Sequence, residues 1–104
     1  MDLNKVYSLL GLCMRAGKVK SGETAVMDAI RKRKACLVIV AEDASDNTTK
    51  QFSDKCKYYE VPYMTVPIDC ESIGRLIGKE SRNVLAITDQ GLADSIRKKI
   101  NSEV

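Results

Sequence analysis

The residues of this 104-residue chain that could do chemistry fall into three groups. Ser21-Gly22-Glu23-Thr24 stands at a predicted helix entrance, just after Lys18 and Lys20. A glycine there lets another backbone approach closely, and the free N–H groups of a first helical turn favour an anion such as phosphate. Glu42-Asp43 follows an apolar run, a place where paired carboxylates bind magnesium or act as acid and base. No phosphate-cradling loop of Walker type and no dinucleotide-binding glycine fingerprint accompanies it, so the pair reads as a polar strand end. The third group is Cys13, Cys36, Cys56 and Cys70, with no Cys-x-x-Cys pair among them. The chain has no histidine, which removes the commonest general base and the usual nitrogen ligand of zinc. The cysteines are therefore expected to be reduced thiols, with no metal and no cofactor.

Charge narrows the partner. Seventeen basic against fourteen acidic side chains leave a net +3. The window from Arg15 to Lys34 holds Arg15, Lys18, Lys20, Arg31, Lys32, Arg33 and Lys34 against only Glu23 and Asp28. Cations clustered on one segment of a small domain suit a phosphate backbone, although lysines complementing a helix dipole give a similar pattern. Lys55, Lys57, Tyr58 and Tyr59 offer stacking and phosphate contacts, or simply tyrosines packed against a sheet. No apolar run approaches the ~20 residues of a bilayer crossing. The opening Met1-Asp2-Leu3-Asn4-Lys5 lacks the character of a signal peptide, so a cytoplasmic location is expected.

The elements that must position these residues are legible from periodicity. Leu3, Val6, Leu9, Leu10, Cys13 and Met14 predict a helix over 3–15, with Asp2 as its N-cap and Gly17 as its stop. Lys18-Val19-Lys20 could add a brief edge strand. A second helix is predicted from a Ser21 cap to about Arg33, with Ala25, Val26, Ala29 and Ile30 inward. Cys36–Ala41 lacks alternation, as a strand covered on both faces does. A helix over 46–59, a strand over Tyr63–Val66 between Pro62 and Pro67, a helix over Cys70–Ile77, a strand over Val84–Thr88 and a helix from Asp89 complete the order. This is an α/β chain, a single-domain three-layer α/β/α sandwich spanning 1–104, with a mixed, mainly parallel four-stranded sheet expected.

Several strings then become specific. Gly17-Lys18-Val19-Lys20-Ser21-Gly22, Leu37-Val38-Ile39-Val40-Ala41-Glu42-Asp43 and Val61-Pro62-Tyr63 resemble the kink-turn RNA-binding ribosomal-protein superfamily of the L-seven-Ae and L-thirty-e type. Its bacterial YlxQ-like branch is more similar still, through Ala41-Glu42-Asp43-Ala44-Ser45, Asp54-Lys55-Cys56, Tyr58-Tyr59, Ile77-Gly78-Lys79-Glu80 and Thr88-Asp89-Gln90-Gly91. The strings run in order over nearly the whole chain. The resemblance implies an RNA-binding sandwich without catalysis, whose second helix enters the widened groove of a kink-turn and reads sheared G·A pairs with Gly-Thr-Asn-Glu-x-x-Lys.

This chain departs from that motif. Aligned without a gap, the motif glycine falls on Gly22, the threonine on Glu23, the asparagine on Thr24, the glutamate on Ala25 and the lysine on Asp28. Ala25 offers a base no side-chain hydrogen bond. At ~1–3 kcal/mol per bidentate base contact, such losses weaken sequence discrimination. The resemblance therefore implies an RNA-binding set of Lys18, Lys20, Ser21, Gly22, Glu23, Thr24, Asp28, Arg31, Lys32, Lys79 and Arg82. The expected partners are structured RNA, rRNA included, and ribosomal or other ribonucleoprotein components, bound by a monomer away from membranes. A protein–protein adaptor on the same fold is the alternative, and salt dependence separates the two.

Overall fold

A strand whose residues are all apolar must be covered on both faces, and two such strands set the architecture. In the computed structural model, which describes residues 3–102, β2 (Leu37–Ala41) and β4 (Val84–Ile87) are buried throughout and lie at the centre of the sheet. β1 (Val19–Ser21) and β3 (Tyr63–Val66) form the edges, giving the order β1-β4-β2-β3. Pro62 and Pro67 flank an edge strand, where a missing N–H interrupts no central ladder. The helices are α1 (Leu3–Arg15), α2 (Glu23–Arg31), α3 (Asp46–Tyr59), α4 (Cys70–Leu76) and α5 (Gln90–Ser102). Asp2, the expected cap of α1, lies outside the described residues. Among those residues no helix is long and apolar enough to cross a membrane.

The sheet is mixed, but the expectation that it is mainly parallel is corrected. Only β2 and β3 pair in parallel, while β4 runs antiparallel to both β1 and β2. Alternation of helices and strands in the sequence suggests parallel crossovers, yet β4 inserts between β1 and β2 and reverses direction there. The β2 side chains divide by their two-residue period. Leu37, Ile39 and Ala41 pack with α1, α4 and α5 residues such as Leu10, Ile73 and Ile96. Val38 and Val40 pack with Val26 and Ile30 of α2 and Phe52 and Cys56 of α3. Three layers result.

Helix ends depart from the sequence reading in informative ways. Ser21 stays in β1 and does not cap α2; Gly22 occupies the N-cap at φ 89° and ψ 159°, a conformation nearly confined to glycine. α2 stops at Arg31 because Arg33 turns left-handed (φ 58°). The Arg33 N–H bonds the Ile30 carbonyl and the Lys34 N–H bonds that of Ala29, the paired bonds of a Schellman ending. α3 begins where Ser45 Oγ accepts from the Thr48 N–H at 3.1 Å and ends on left-handed Glu60. Asp89 caps α5, its carboxylate accepting from the Leu92 N–H at 2.9 Å.

Phe52 is the largest fully enclosed side chain of the α2–α3 layer. Phe52→Ala is expected to lower unfolding free energy by about 3–5 kcal/mol, read as a shift of the urea midpoint at unchanged slope.

Candidate nucleic-acid interface

At the end of the sheet where β1 and β2 finish and β4 begins, two segments face each other across a cleft of about 860 Å³. One wall is the entry to α2, from Ser21 to Ala25 with Asp28 one turn on; the other is the 81–83 segment, with Cys70 beneath it. No side chain caps α2, and its first internal bond runs from the Val26 N–H to the Gly22 carbonyl. The N–H groups of Glu23, Thr24 and Ala25 therefore point out of the helix toward the cleft. Gly22 is also tied to the opposite wall, its N–H donating to the Val84 carbonyl at 3.1 Å. A side chain at position 22 would meet the Arg82 stem, whose Cδ lies 4.0 Å from where a Cβ would stand.

The second wall is built from its backbone. The Arg82 N–H donates to the Cys70 carbonyl at 3.1 Å, and the Asn83 carbonyl accepts from the Ala41 N–H at 3.0 Å. The Arg82 guanidinium folds back on the Ser81 and Glu80 carbonyls, at 3.1 and 3.4 Å. Asn83 Nδ2 donates to Glu23 Oε2 at 3.2 Å, joining the two walls side chain to side chain. This loop is seated on Gly74 of α4, where a Cβ would overlap the Glu80 carbonyl and the Ser81 backbone.

The structure thus gathers six of the expected residues, Ser21, Gly22, Glu23, Thr24, Asp28 and Arg82, into one cleft. Lys20 is exposed on β1 beside Ser21. Arg31 lines a smaller groove of about 260 Å³ with Glu23, Thr24, Met27 and Gln51. Lys32, at the other end of α2, pairs with Asp28 at 3.2 Å. Lys18 lies at the opposite end of β1, ~10 Å away by strand rise, and Lys79 is exposed outside the cleft. The sequence reading missed Ser81, Asn83 and Cys70 as lining residues. The Asn83–Glu23 bond spans 60 positions, a pairing no local signal announces.

The lining contains two carboxylates, Glu23 and Asp28, and one cation, Arg82; of the other expected basic residues Lys20 stands exposed beside Ser21, and Lys18, Arg31, Lys32 and Lys79 lie away from the lining. Carboxylates in such a lining accept hydrogen bonds, and a guanidinium donates them to an anion.

Asp43 has a structural task. Its Oδ1 accepts from the Cys70 N–H at 2.8 Å and so caps α4, whose own N-cap residue Asp69 makes no side-chain cap. Hydrogen bonds from Cys70, side chain first and then backbone, hold the Asp43 carboxyl below its ordinary 3.8. Burial, followed by the hydrogen bond and charge of Asp43 and the charge of Asp69, pushes the Cys70 thiol up to about 11. The cysteine that faces the cleft is thus a neutral thiol at pH 7, poorly suited to nucleophilic attack. Among the described residues, no three metal-ligating side chains come together.

Fold and cleft together define a class: an α/β/α sandwich that presents an uncapped second helix beside a supported loop. The chain belongs to the ribosomal protein L7Ae/L30e/S12e/Gadd45 family, whose model matches residues 4–97. It is 52% identical over 90 residues to the RNA-binding protein YlxQ of Bacillus subtilis, covering 86% of this chain and 89% of that protein. The YlxQ protein of Enterococcus faecium is 45% identical over 96 residues, covering 92% and 91%. A solved structure from Bacillus halodurans, titled as a protein of unknown function, superposes with a TM-score of 0.88 at 36% identity, over 93% of this chain and 97% of that one.

The depressed Asp43 carboxyl sets a pH dependence. A lowered folded-state value contributes stability above the unfolded value of about 3.9 that is lost as pH falls through the folded one. The difference in denaturation midpoint between the native chain and Asp43→Ala is expected to be constant above about pH 5 and to close below about pH 4. A gap independent of pH contradicts the capping role.

Proposed function

We propose that this protein binds structured, kink-turn-like RNA through the cleft between α2 and the 81–83 segment, without catalysis. The observation that carries this reading is an uncapped first turn of α2 facing a loop fixed by backbone bonds, with carboxylate, amide and guanidinium groups between them. The names of the YlxQ relatives, which call those proteins RNA-binding, support it. A helix end can reach purine edges only where a groove is opened, which a kinked duplex provides.

Within the cleft, Glu23 is the main acceptor for base amino groups, oriented by Asn83 and assisted by Thr24. Ser21 and Gly22 leave room for the strand to approach the helix end. Arg82 donates to phosphate from the loop, exchanging its carbonyl contacts for a charged partner. Lys20 and Arg31 are the cations next nearest the cleft, and Lys18, Lys32 and Lys79 meet phosphates farther along the RNA. The exposed Lys32–Asp28 pair is worth only a few tenths of a kcal/mol, so Lys32 can turn to phosphate. With Ala25 mute, base discrimination is weaker than in members that keep the full motif. The protein acts as a cytoplasmic monomer, associated with ribosomal RNA or another ribonucleoprotein, a reading its ribosomal-protein family supports.

Binding to a kink-turn duplex, compared with a control whose sheared G·A pairs are replaced by Watson–Crick pairs, tests this. The kinked RNA is expected to bind more tightly by less than about tenfold, since one bidentate contact at ~1–3 kcal/mol is already missing. If three counterions are released, affinity falls on the order of 40-fold between about 50 and 200 mM salt. Arg82→Ala is expected to weaken binding to both RNAs. Absence of binding to either RNA overturns the proposal in favour of a protein–protein adaptor.

A further inference from the structure

The end of the molecule opposite the cleft carries a second assembly that the proposed RNA site does not use. Tyr58, near the end of α3, is 76% exposed, the most exposed large hydrophobic residue among those described. Its ring meets that of Tyr59 edge-on, with centroids 4.9 Å apart and planes at 72°. The Tyr59 ring in turn lies under the Arg33 guanidinium, 5.3 Å from its centroid, and Arg33 Nη1 donates to the Tyr59 carbonyl at 3.5 Å. Arg33, Tyr59 and Tyr58 form a continuous ladder from the end of α2 to the end of α3.

Two further observations mark the place. Arg33 and Glu60 are the described non-glycine residues in the left-handed region, each at φ 58°, and both line one groove of about 210 Å³ beside the ladder. Both helices therefore end there without the glycine that would relieve the strain, and at position 33 the retained side chain is the one that holds Tyr59. The neighbouring Lys34 and Lys57 are exposed, and Glu60 is the carboxylate of the groove. An exposed ring packed edge-on against a second ring that a cation covers, with exposed lysines neighbouring in the chain, matches the combination by which unpaired nucleotides are held: a base stacked on the ring and phosphates on the lysines.

We infer that the Arg33–Tyr59–Tyr58 ladder is a second nucleic-acid contact, which takes a single-stranded RNA segment by stacking a base on the open face of Tyr58. The nine residues of α2 alone separate it from the cleft by ~13 Å, so the two surfaces engage different parts of an RNA. Stacking tolerates any base, so this contact adds affinity for unpaired RNA with little sequence preference.

The test uses the full chain and a fluorescent oligouridylate of roughly 12 nucleotides, followed by anisotropy. Tyr58→Ala is expected to weaken oligouridylate binding about 5- to 100-fold, whereas Tyr58→Phe, which keeps the ring, binds within about twofold of the native chain. Arg33→Gly relieves the left-handed strain and keeps the fold, yet loses the brace and weakens binding in the same direction. Binding to a blunt kink-turn duplex is expected to be unchanged by Tyr58→Ala and weakened by Arg82→Ala, so failure at one site is distinguished from failure at the other. Native-like oligouridylate binding by Tyr58→Ala, or equal losses in the Ala and Phe variants, overturns the inference.

Discussion

The cleft depends on one steric vacancy. Gly74 of α4 has no Cβ, and the Glu80–Ser81 backbone occupies the space one would fill. Seated there, the chain directs the Arg82 N–H to Cys70 and the Asn83 carbonyl to Ala41, which delivers β4 into the middle of the sheet. The same seating brings Asn83 to Glu23 and lays the Arg82 stem over Gly22. Helix, strand and loop are thus held to one another by backbone bonds, supplemented by the one side-chain bond from Asn83 to Glu23.

Stability and recognition are largely separated in this molecule. Two apolar layers on a sheet of fully buried central strands supply the fold, and the basic residues of the α2 segment contribute little to it. Asp43 shows the separation from the other side. It looks like half of an acid–base pair, but its carboxylate is engaged in capping α4. The thiol beside it is held neutral, so proximity of an acid and a cysteine does not amount to a reactive centre here.

Much of this was legible in the sequence, and the failures are specific. The uninterrupted apolar run around Val38 announced a buried strand, and the periodicity of Val26, Ala29 and Ile30 announced the inward face of α2. The partition of β4 between β1 and β2 was not legible, because strand order is set by long-range packing that leaves no local mark. Ser21 carried a valid capping signal, but pairing with Leu85 kept it in the sheet and moved the helix entrance to Gly22. Arg33 gave no warning of a left-handed turn, since an arginine has no preference for that conformation and its contact with Tyr59 spans 26 positions. Of the residues lining the cleft, Ser21, Gly22, Glu23 and Thr24 were legible as a helix entrance from their local pattern. Asn83 and Ser81 were not, because their roles depend on a loop whose seat is a glycine in another helix.

Gly74→Ala tests the central claim most directly, with folding followed by circular dichroism and binding by titration with kink-turn RNA. The added methyl must displace backbone, at a cost of about 1–3 kcal/mol, which shifts the loop while the two apolar layers persist. The account predicts a folded protein of lower melting temperature whose kink-turn affinity drops markedly. A folded variant that binds this RNA as tightly as the native chain would contradict the dependence of the cleft on that seat.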